Sequence, residues 1–269
     1  MIKLVRSELL KVRTTNIWWI FAILLVGFTG LSILGNILSI SVESSRSPGG
    51  AIPSGQLHDL AASMYTSGQY FGLLFVLILG VLVVTNEFFH QTATTTFLTT
   101  PRRTSVITAK LVGALLIGLV FWLVATVLSV LVGVIYLSAK GYGTQLDVGS
   151  VWRAIALNLL GYMIWTVVGI GVGALIRAQI AAVIVGIVGY FVTGTVAEGV
   201  AFLLSQALHW HWAPKVLVVL PGMASSVMIN GGGDLPGSPA RWLGGVILVG
   251  WGVVAGLIGT ALTRTRDIT

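Results

Sequence analysis

Four histidines, one serine motif and no cysteine set the limits on catalytic chemistry in this chain. Without cysteine, disulfides, thiolate catalysis and cysteine-ligated zinc or iron–sulfur sites are excluded. His209 and His211 are two residues apart, which puts them on different sides of a helix, and no histidine pair has H-E-x-x-H spacing. Ser225 lies in a GMASS stretch, but the nearest histidines share its segment and no opposing base is apparent. We therefore predict no catalytic residue, no metal site and no cofactor bound by this chain.

A polar island, "EFFHQTATTTFLTTPRR" at residues 87–103, interrupts a sequence that is otherwise Leu, Val, Ile, Gly and Ala. Its threonines can hydrogen-bond to backbone, and Pro101 predicts a break before the next helix. We predict a short amphipathic helix at about residues 88–98, with an ordinary polar loop as the alternative. Within the island, Glu87 is the only acidic residue, and we expect it to pair with Arg102 or Arg103.

Glu198 is the strongest candidate for a charged residue inside an apolar segment. Ionisable groups at such positions commonly mark a transport path. We predict a contact in the path or in an external gate; the alternative is a solvated carboxylate at a helix end.

Composition indicates an integral membrane protein. The chain of 269 residues is 56% hydrophobic and 9% charged, whereas a soluble domain has about 25% charged residues. Its net charge of +7 fits basic residues flanking membrane spans better than nucleic-acid binding, which we do not expect. No P-loop motif occurs, so the chain is not expected to hydrolyse ATP.

The fold class we predict is an all-α membrane protein with six transmembrane helices in one domain. An apolar run of about 20 residues crosses a bilayer as a helix. The first run is too long for a signal peptide, so we expect it to be a retained helix. The predicted spans are 17–40, 70–86, 106–137, 151–176, 180–204 and 242–262.

Basic residues predict the orientation. With both termini in the cytoplasm, the inside segments hold ten Lys or Arg residues and the outside segments five, as expected for cytoplasmic loops. The polar island then faces the cytoplasm.

Segments outside the spans have their own patterns. Residues 1–16 place Ile2, Val5, Leu9 and Val12 on one helical face, which predicts an interfacial helix with Glu8 and Lys11 turned away from that face. Residues 41–69 are predicted to be a flexible external loop rich in Ser, Pro and Gly. Residues 205–241 are predicted to be an external re-entrant segment before the sixth span, because their apolar stretch is too short to cross. Possible path or gate residues are Glu198 and, in this segment, Trp210, Trp212 and Pro221.

Three glycine pairs have G-x-x-x-G spacing: Gly68/Gly72, Gly169/Gly173 and Gly252/Gly256. Such pairs allow close helix packing in lipid, either within the bundle or between two copies.

The island and the opening "SELLKVRTTNIWWIF" resemble the permease subunits of type-2 ABC exporters, in their actinobacterial branch. The matching motif positions are Glu87, Phe88, His90, Thr92, Thr95, Leu98, Pro101, Arg103 and Lys110. The resemblance implies that two permeases pair, as identical copies or paralogues, and that each docks a cytosolic ABC ATPase holding ATP and Mg. Residues 87–100 would be the coupling loop, with contacts from Glu87, Phe88, Phe89, His90, Thr92, Thr95, Phe97, Leu98, Pro101, Arg102 and Arg103.

The cargo predicted from the apolar spans is amphipathic or hydrophobic, moved across the cytoplasmic membrane. Two alternatives belong to other classes: a polytopic membrane enzyme acting on lipids, and a membrane scaffold or sensor that transports nothing.

Overall fold

The computed structural model describes residues 2–15, 17–47, 52–90, 103–176, 178–210, 212–231 and 239–265. Every regular element within these ranges is helical. In chain order they are α1 (Ile2–Thr14), α2 (Ile17–Arg46), α3 (Ser54–Tyr65), α4 (Gln69–Phe89), α5 (Arg103–Ala139), α6 (Gly149–Leu175), α7 (Gln179–Phe191), π1 (Val192–Val196), α8 (Ala197–Ala207), α9 (Ala213–Leu217), α10 (Pro221–Asn230) and α11 (Arg241–Thr265).

Within the described ranges, six helical stretches are long and apolar enough to cross a membrane, which confirms the predicted number. They are Ile17–Arg46, Ser54–Phe89, Ser105–Ala139, Gly149–Leu175, Gln179–Ala207 and Arg241–Ile258. The second stretch combines α3 and α4, and the fifth combines α7, π1 and α8. The sequence did not predict this π-helix within the fifth span.

Helix α4 forms the centre of the bundle and packs most extensively on α6. Every residue of α4 from Gly72 to Thr85 is buried. Glycine permits this packing, because a Cβ on Gly80 would lie 2.5 Å from the Thr166 carbonyl oxygen and one on Gly173 would lie 2.8 Å from that of Val81. The two helices therefore touch backbone to backbone.

The three predicted glycine pairs all pack inside this one chain. Gly68 faces Thr29 and Ala125, Gly72 faces Tyr162, and Gly169 and Gly173 face α4. Gly252 and Gly256 approach Ile164 and Val167 on α6. The close approaches that G-x-x-x-G spacing permits are therefore used within the bundle.

Residues 41–69 are not the flexible loop that the composition predicted. Helix α2 continues to Arg46, and α3 occupies Ser54–Tyr65. Leu57 and Tyr65 of α3 are buried in a cluster with Ile40 and Leu137. The Ser, Pro and Gly residues therefore marked only the boundary between two helices. The apolar residues of α3 stabilise a helix because they pack on this buried cluster.

Residues 205–241 also contain helices. The short helix α9 and the helix α10 lie in the predicted external segment, and α10 is largely buried. Helix α10 packs mainly on α11 and on π1. Pro221 begins α10, where its missing N–H would have no intrahelical partner in any case.

Helix α1 is a separate helix at the N-terminal end of α2, and part of its predicted polar side is buried. Ile2, assigned to the apolar face, is 86% exposed, whereas Glu8 is the buried residue of this helix. The face that contacts α5 is therefore centred on a carboxylate. The apolar periodicity did not predict this burial, because the partner Lys110 lies 102 positions further along the chain.

Candidate functional site

Four charged side chains form a closed ring at one end of the bundle. Lys11 Nζ lies 2.6 Å from Glu8 Oε1 and 2.7 Å from Glu87 Oε1. Lys110 Nζ lies 2.8 Å from Glu8 Oε2 and 3.0 Å from Glu87 Oε1. Each carboxylate thus contacts both ammonium groups, and we call these four residues the ion ring.

Three elements place the ion ring. Glu8 and Lys11 are three residues apart on α1 and therefore share a helical face. Glu87 lies in the last turn of α4, and Lys110 lies two turns into α5. The ring is thus the point at which α1 and the second and third spans meet.

Three of the four side chains in the ion ring are almost completely buried. The side chains of Glu8, Glu87 and Lys110 are 7%, 9% and 10% exposed, whereas that of Lys11 is 42% exposed. Two negative and two positive charges cancel, and Lys110 donates a further bond of 3.1 Å to the Val83 carbonyl oxygen. Such pairing and hydrogen bonding are what buried charges require.

The pKa of Lys11 shows the effect of the ring. Partial burial acts to lower this pKa, but hydrogen bonds and charge attraction from Glu8 and Glu87 outweigh it. The pKa of the Lys11 ammonium is therefore raised above its ordinary value, and the group remains charged in neutral solution.

The predicted coupling residues fall into two groups. Phe88 is half-buried and packs against an apolar cluster that includes Val83 and Ala114. Phe89 is 66% exposed, and its ring meets the exposed His90 edge to face at 5.0 Å. Only these last two lie on the surface where α4 ends.

The rest of the predicted coupling loop lies outside the described residues. This applies to the helix expected at 88–98 beyond His90, to Thr92, Thr95, Phe97, Leu98, Pro101 and Arg102, and to the Arg103 side chain. Glu87 contacts Lys11 and Lys110, partners that the pairing expected with Arg102 or Arg103 did not include.

Sequence reasoning missed the ion ring as a unit. Lys110 was assigned to the motif, but Glu8 and Lys11 were placed only on the side of the interfacial helix away from its apolar face. A usable signal was present: in a chain with 9% charged residues, acidic groups near apolar spans need partners, and few are available. A second missed contact joins Gln179 Nε2 at the start of α7 to Asn86 Oδ1 at 3.0 Å.

A polar cavity of about 500 Å³ lies at the other end of α4. It is bounded by α2, by the start of α4, by π1 and by α10, and Glu198 lines it. Gly194 of π1 touches Gly222 of α10, whose N–H donates to Thr193 Oγ1 at 3.3 Å. π-Helical turns frequently occur at functional sites, and this one shapes the cavity wall.

The other predicted gate residues do not reach the cavity. Trp210 and Trp212 are exposed and stack on each other at 5.5 Å. Pro221 is the first residue of α10 and precedes the lining residue Gly222.

The bundle of six apolar helices and the buried ion ring define a multi-pass membrane protein. Residues 4–193 match the family described as ABC-2 family transporter protein. The chain belongs to this family and is a membrane permease of an ABC transporter, as the motif around Glu87 indicated. No curated protein matches the chain.

Proposed function

We propose that this permease is the membrane subunit of an ATP-driven exporter in the cytoplasmic membrane, with both termini in the cytoplasm. A separate ABC ATPase docks at residues 87–100 and holds ATP and Mg. The permease works as a pair, with a second copy or a paralogue, and moves an amphipathic or hydrophobic molecule outward.

The ion ring is the observation that carries this proposal. Three residues separate Glu87 from the segment 91–102, which lies outside the described residues, and Lys110 lies shortly after this segment. A displacement of this segment therefore acts directly on α4 and α5, and through Glu8 and Lys11 on α1. An ATPase seated there would move the three elements together.

Surface chemistry supports the same docking side. Phe89 and His90 are exposed where α4 ends, and aromatic residues are favoured at the centres of protein interfaces. The excess of basic residues in the segments on this side supports a cytoplasmic location.

Docking is tested by photocrosslinking in the complex purified with its ATPase. A photoreactive phenylalanine analogue in place of Phe89 should give an adduct with a P-loop ATPase subunit. The same analogue in place of the exposed Trp210 is the matched control and should give none. An adduct from Trp210 and none from Phe89 would contradict the proposed orientation.

Coupling is tested at the polar cavity, at the far end of α4. The chain has no cysteine, so Ser226→Cys introduces a single thiol among the residues that line the cavity. ATP with vanadate should change the rate at which a membrane-impermeant maleimide labels this thiol. Glu87→Ala should leave membrane insertion and ATP hydrolysis intact but abolish the response to nucleotide.

Glu43→Ala is the control for the coupling test, since it removes a half-buried carboxylate that lies outside the ion ring and outside the cavity lining. It should respond to nucleotide as the parent does. If the labelling rate of the Glu87→Ala variant still changed with nucleotide, Glu87 would have no role in coupling.

A further inference from the structure

The polar cavity is lined by unusual residues for an apolar bundle. Eleven of its nineteen lining residues are Ser, Thr, Asn or Gln, and Leu73 is the one aliphatic side chain among them. The lining comes from α2, α3, α4, α6, α7, π1, α8 and α10 of one chain. Its volume of about 500 Å³ is in the range of small-molecule sites.

Glu198 is the one charged residue among the described residues that line this cavity. It is half-buried, and the ion pairs found within the described ranges all belong to the ion ring at the other end of α4. A half-buried carboxylate that forms no ion pair among the described residues favours a cationic guest.

Three aromatic side chains, Tyr70, Trp165 and Tyr190, line the same cavity. The Tyr190 ring lies 4.9 Å from that of Trp165 and 5.9 Å from that of Tyr70. Their polar atoms are held within the protein: the Tyr190 hydroxyl donates to the Tyr70 carbonyl oxygen at 2.7 Å, and Trp165 Nε1 donates to Ser225 Oγ at 3.2 Å. Aromatic rings attract ammonium groups, so this cluster adds to the preference that Glu198 sets.

The other lining residues favour a guest that forms hydrogen bonds. Ser67 Oγ donates to the Met64 carbonyl oxygen at 2.6 Å and receives a bond of 3.1 Å from Asn36 Nδ2. Hydroxyl and amide groups have further donor or acceptor capacity after such contacts. An apolar guest would displace water from these groups without replacing its hydrogen bonds, at about 1–3 kcal/mol for each group left unsatisfied.

We infer that the cavity is a cargo site for a small organic cation that carries one ammonium group and several hydroxyl or amide groups. This inference rests on the proposed export function but assigns it a more polar class of cargo. The apolar spans had predicted an amphipathic or hydrophobic cargo, whereas most residues that line the cavity are polar and one is acidic.

The test is direct binding to the permease alone, in nanodiscs and without ATPase or nucleotide. N-methyl-D-glucamine is a monovalent ammonium with a polyol chain, sorbitol is the matched neutral polyol, and tetraethylammonium is a monocation without hydroxyls. Saturation-transfer NMR reports weak binding of each. N-methyl-D-glucamine should bind about tenfold more tightly than either comparison compound, as expected for a charged hydrogen bond.

Variants assign the binding to Glu198. Glu198→Gln should weaken N-methyl-D-glucamine about tenfold and leave sorbitol unchanged, whereas Glu198→Asp should keep the preference for the cation. Glu43→Gln, which neutralises a half-buried carboxylate away from the cavity, should have no effect. Thermal unfolding of each variant verifies that the bundle is folded.

Several results would overturn the inference. Equal binding of sorbitol would exclude a role for charge, and equal binding of tetraethylammonium would exclude the hydroxyl preference. Unchanged binding by Glu198→Gln would place the cation elsewhere. The binding test involves no nucleotide, so it is independent of the coupling test. If the cation bound but the labelling of Ser226→Cys did not change with nucleotide, the coupling proposal would be refuted and the cargo-site proposal would stand.

Discussion

Glu8 and Lys110 are 102 positions apart in the sequence, yet their side chains meet at 2.8 Å inside the bundle. This contact ties the N-terminal helix α1 to the third span. Because Glu8 also contacts Lys11 and Lys110 also contacts Glu87, the four charges hold one another in place.

Removing Lys110 should be strongly destabilising. Lys110→Met leaves two buried carboxylates that share only the partly exposed Lys11, and loss of one partner from a buried ion pair costs about 3–5 kcal/mol. The free energy of unfolding, measured by titration with denaturing detergent, should fall by that order. Lys140→Met, at an exposed position directly after the C-terminal end of α5, should change this free energy little.

The ion ring should behave as a coupled unit in a double-mutant cycle. The double variant Glu8→Gln, Lys110→Met should lose much less free energy of unfolding than the sum of the losses in the two single variants. Either single change already removes the contact between these two side chains. Strictly additive losses would show that the pair contributes nothing beyond its members.

Alkaline pH should weaken the fold through Lys11. The pKa of Lys11 is raised in the folded protein above the value of about 10.5 expected for the unfolded chain. Its favourable contribution is therefore complete below that pH and is lost as pH rises through the folded pKa. Lys11→Arg keeps its charge at high pH, so the free energy of unfolding of this variant should decline less above pH 10.5 than that of the parent.

The contact between α4 and α6 should not tolerate a methyl group. In Gly80→Ala the new Cβ would lie 2.5 Å from the Thr166 carbonyl oxygen, and overpacking of this kind costs about 1–3 kcal/mol. Thermal unfolding should therefore begin at a lower temperature. Gly27→Ala is the matched control, because no atom lies within 4 Å of its new Cβ, and this variant should be as stable as the parent or more so.

A disulfide should join the fourth and sixth spans. An ideal Cβ on Gly252 lies 3.9 Å from Ile164 Cβ, close to the separation in natural disulfides. Oxidation of the Gly252→Cys, Ile164→Cys double variant should therefore give a cross-linked product that migrates differently under non-reducing conditions. Gly250→Cys with Ile164→Cys should stay reduced, since Gly250 faces open space.

The sequence predicted the spans well because membrane crossing depends on a local property, the length of an apolar run. The same logic failed at Glu8, where an amphipathic pattern placed a carboxylate outward although its partner, Lys110, lies far along the chain. Helix α3 was missed because Gly and Pro near residues 48–55 suggested a loop, and its burial against Ile40 and Leu137 is a tertiary effect.

The cavity was predicted only at Glu198, since one charged residue in an apolar segment is visible without a structure. The residues that line it are scattered over eight helical elements and become a set only when the helices pack. The turn of π-helix before Glu198 has no signature in its residues, Val192–Val196, that distinguishes it from an α-helix.

The closed arrangement of charges also bears on how the protein is made. All four residues of the ion ring lie within the first 110 positions of the chain, so everything needed to close it is present once the third span begins to emerge from the ribosome. The ring can therefore close before the last three spans are synthesised.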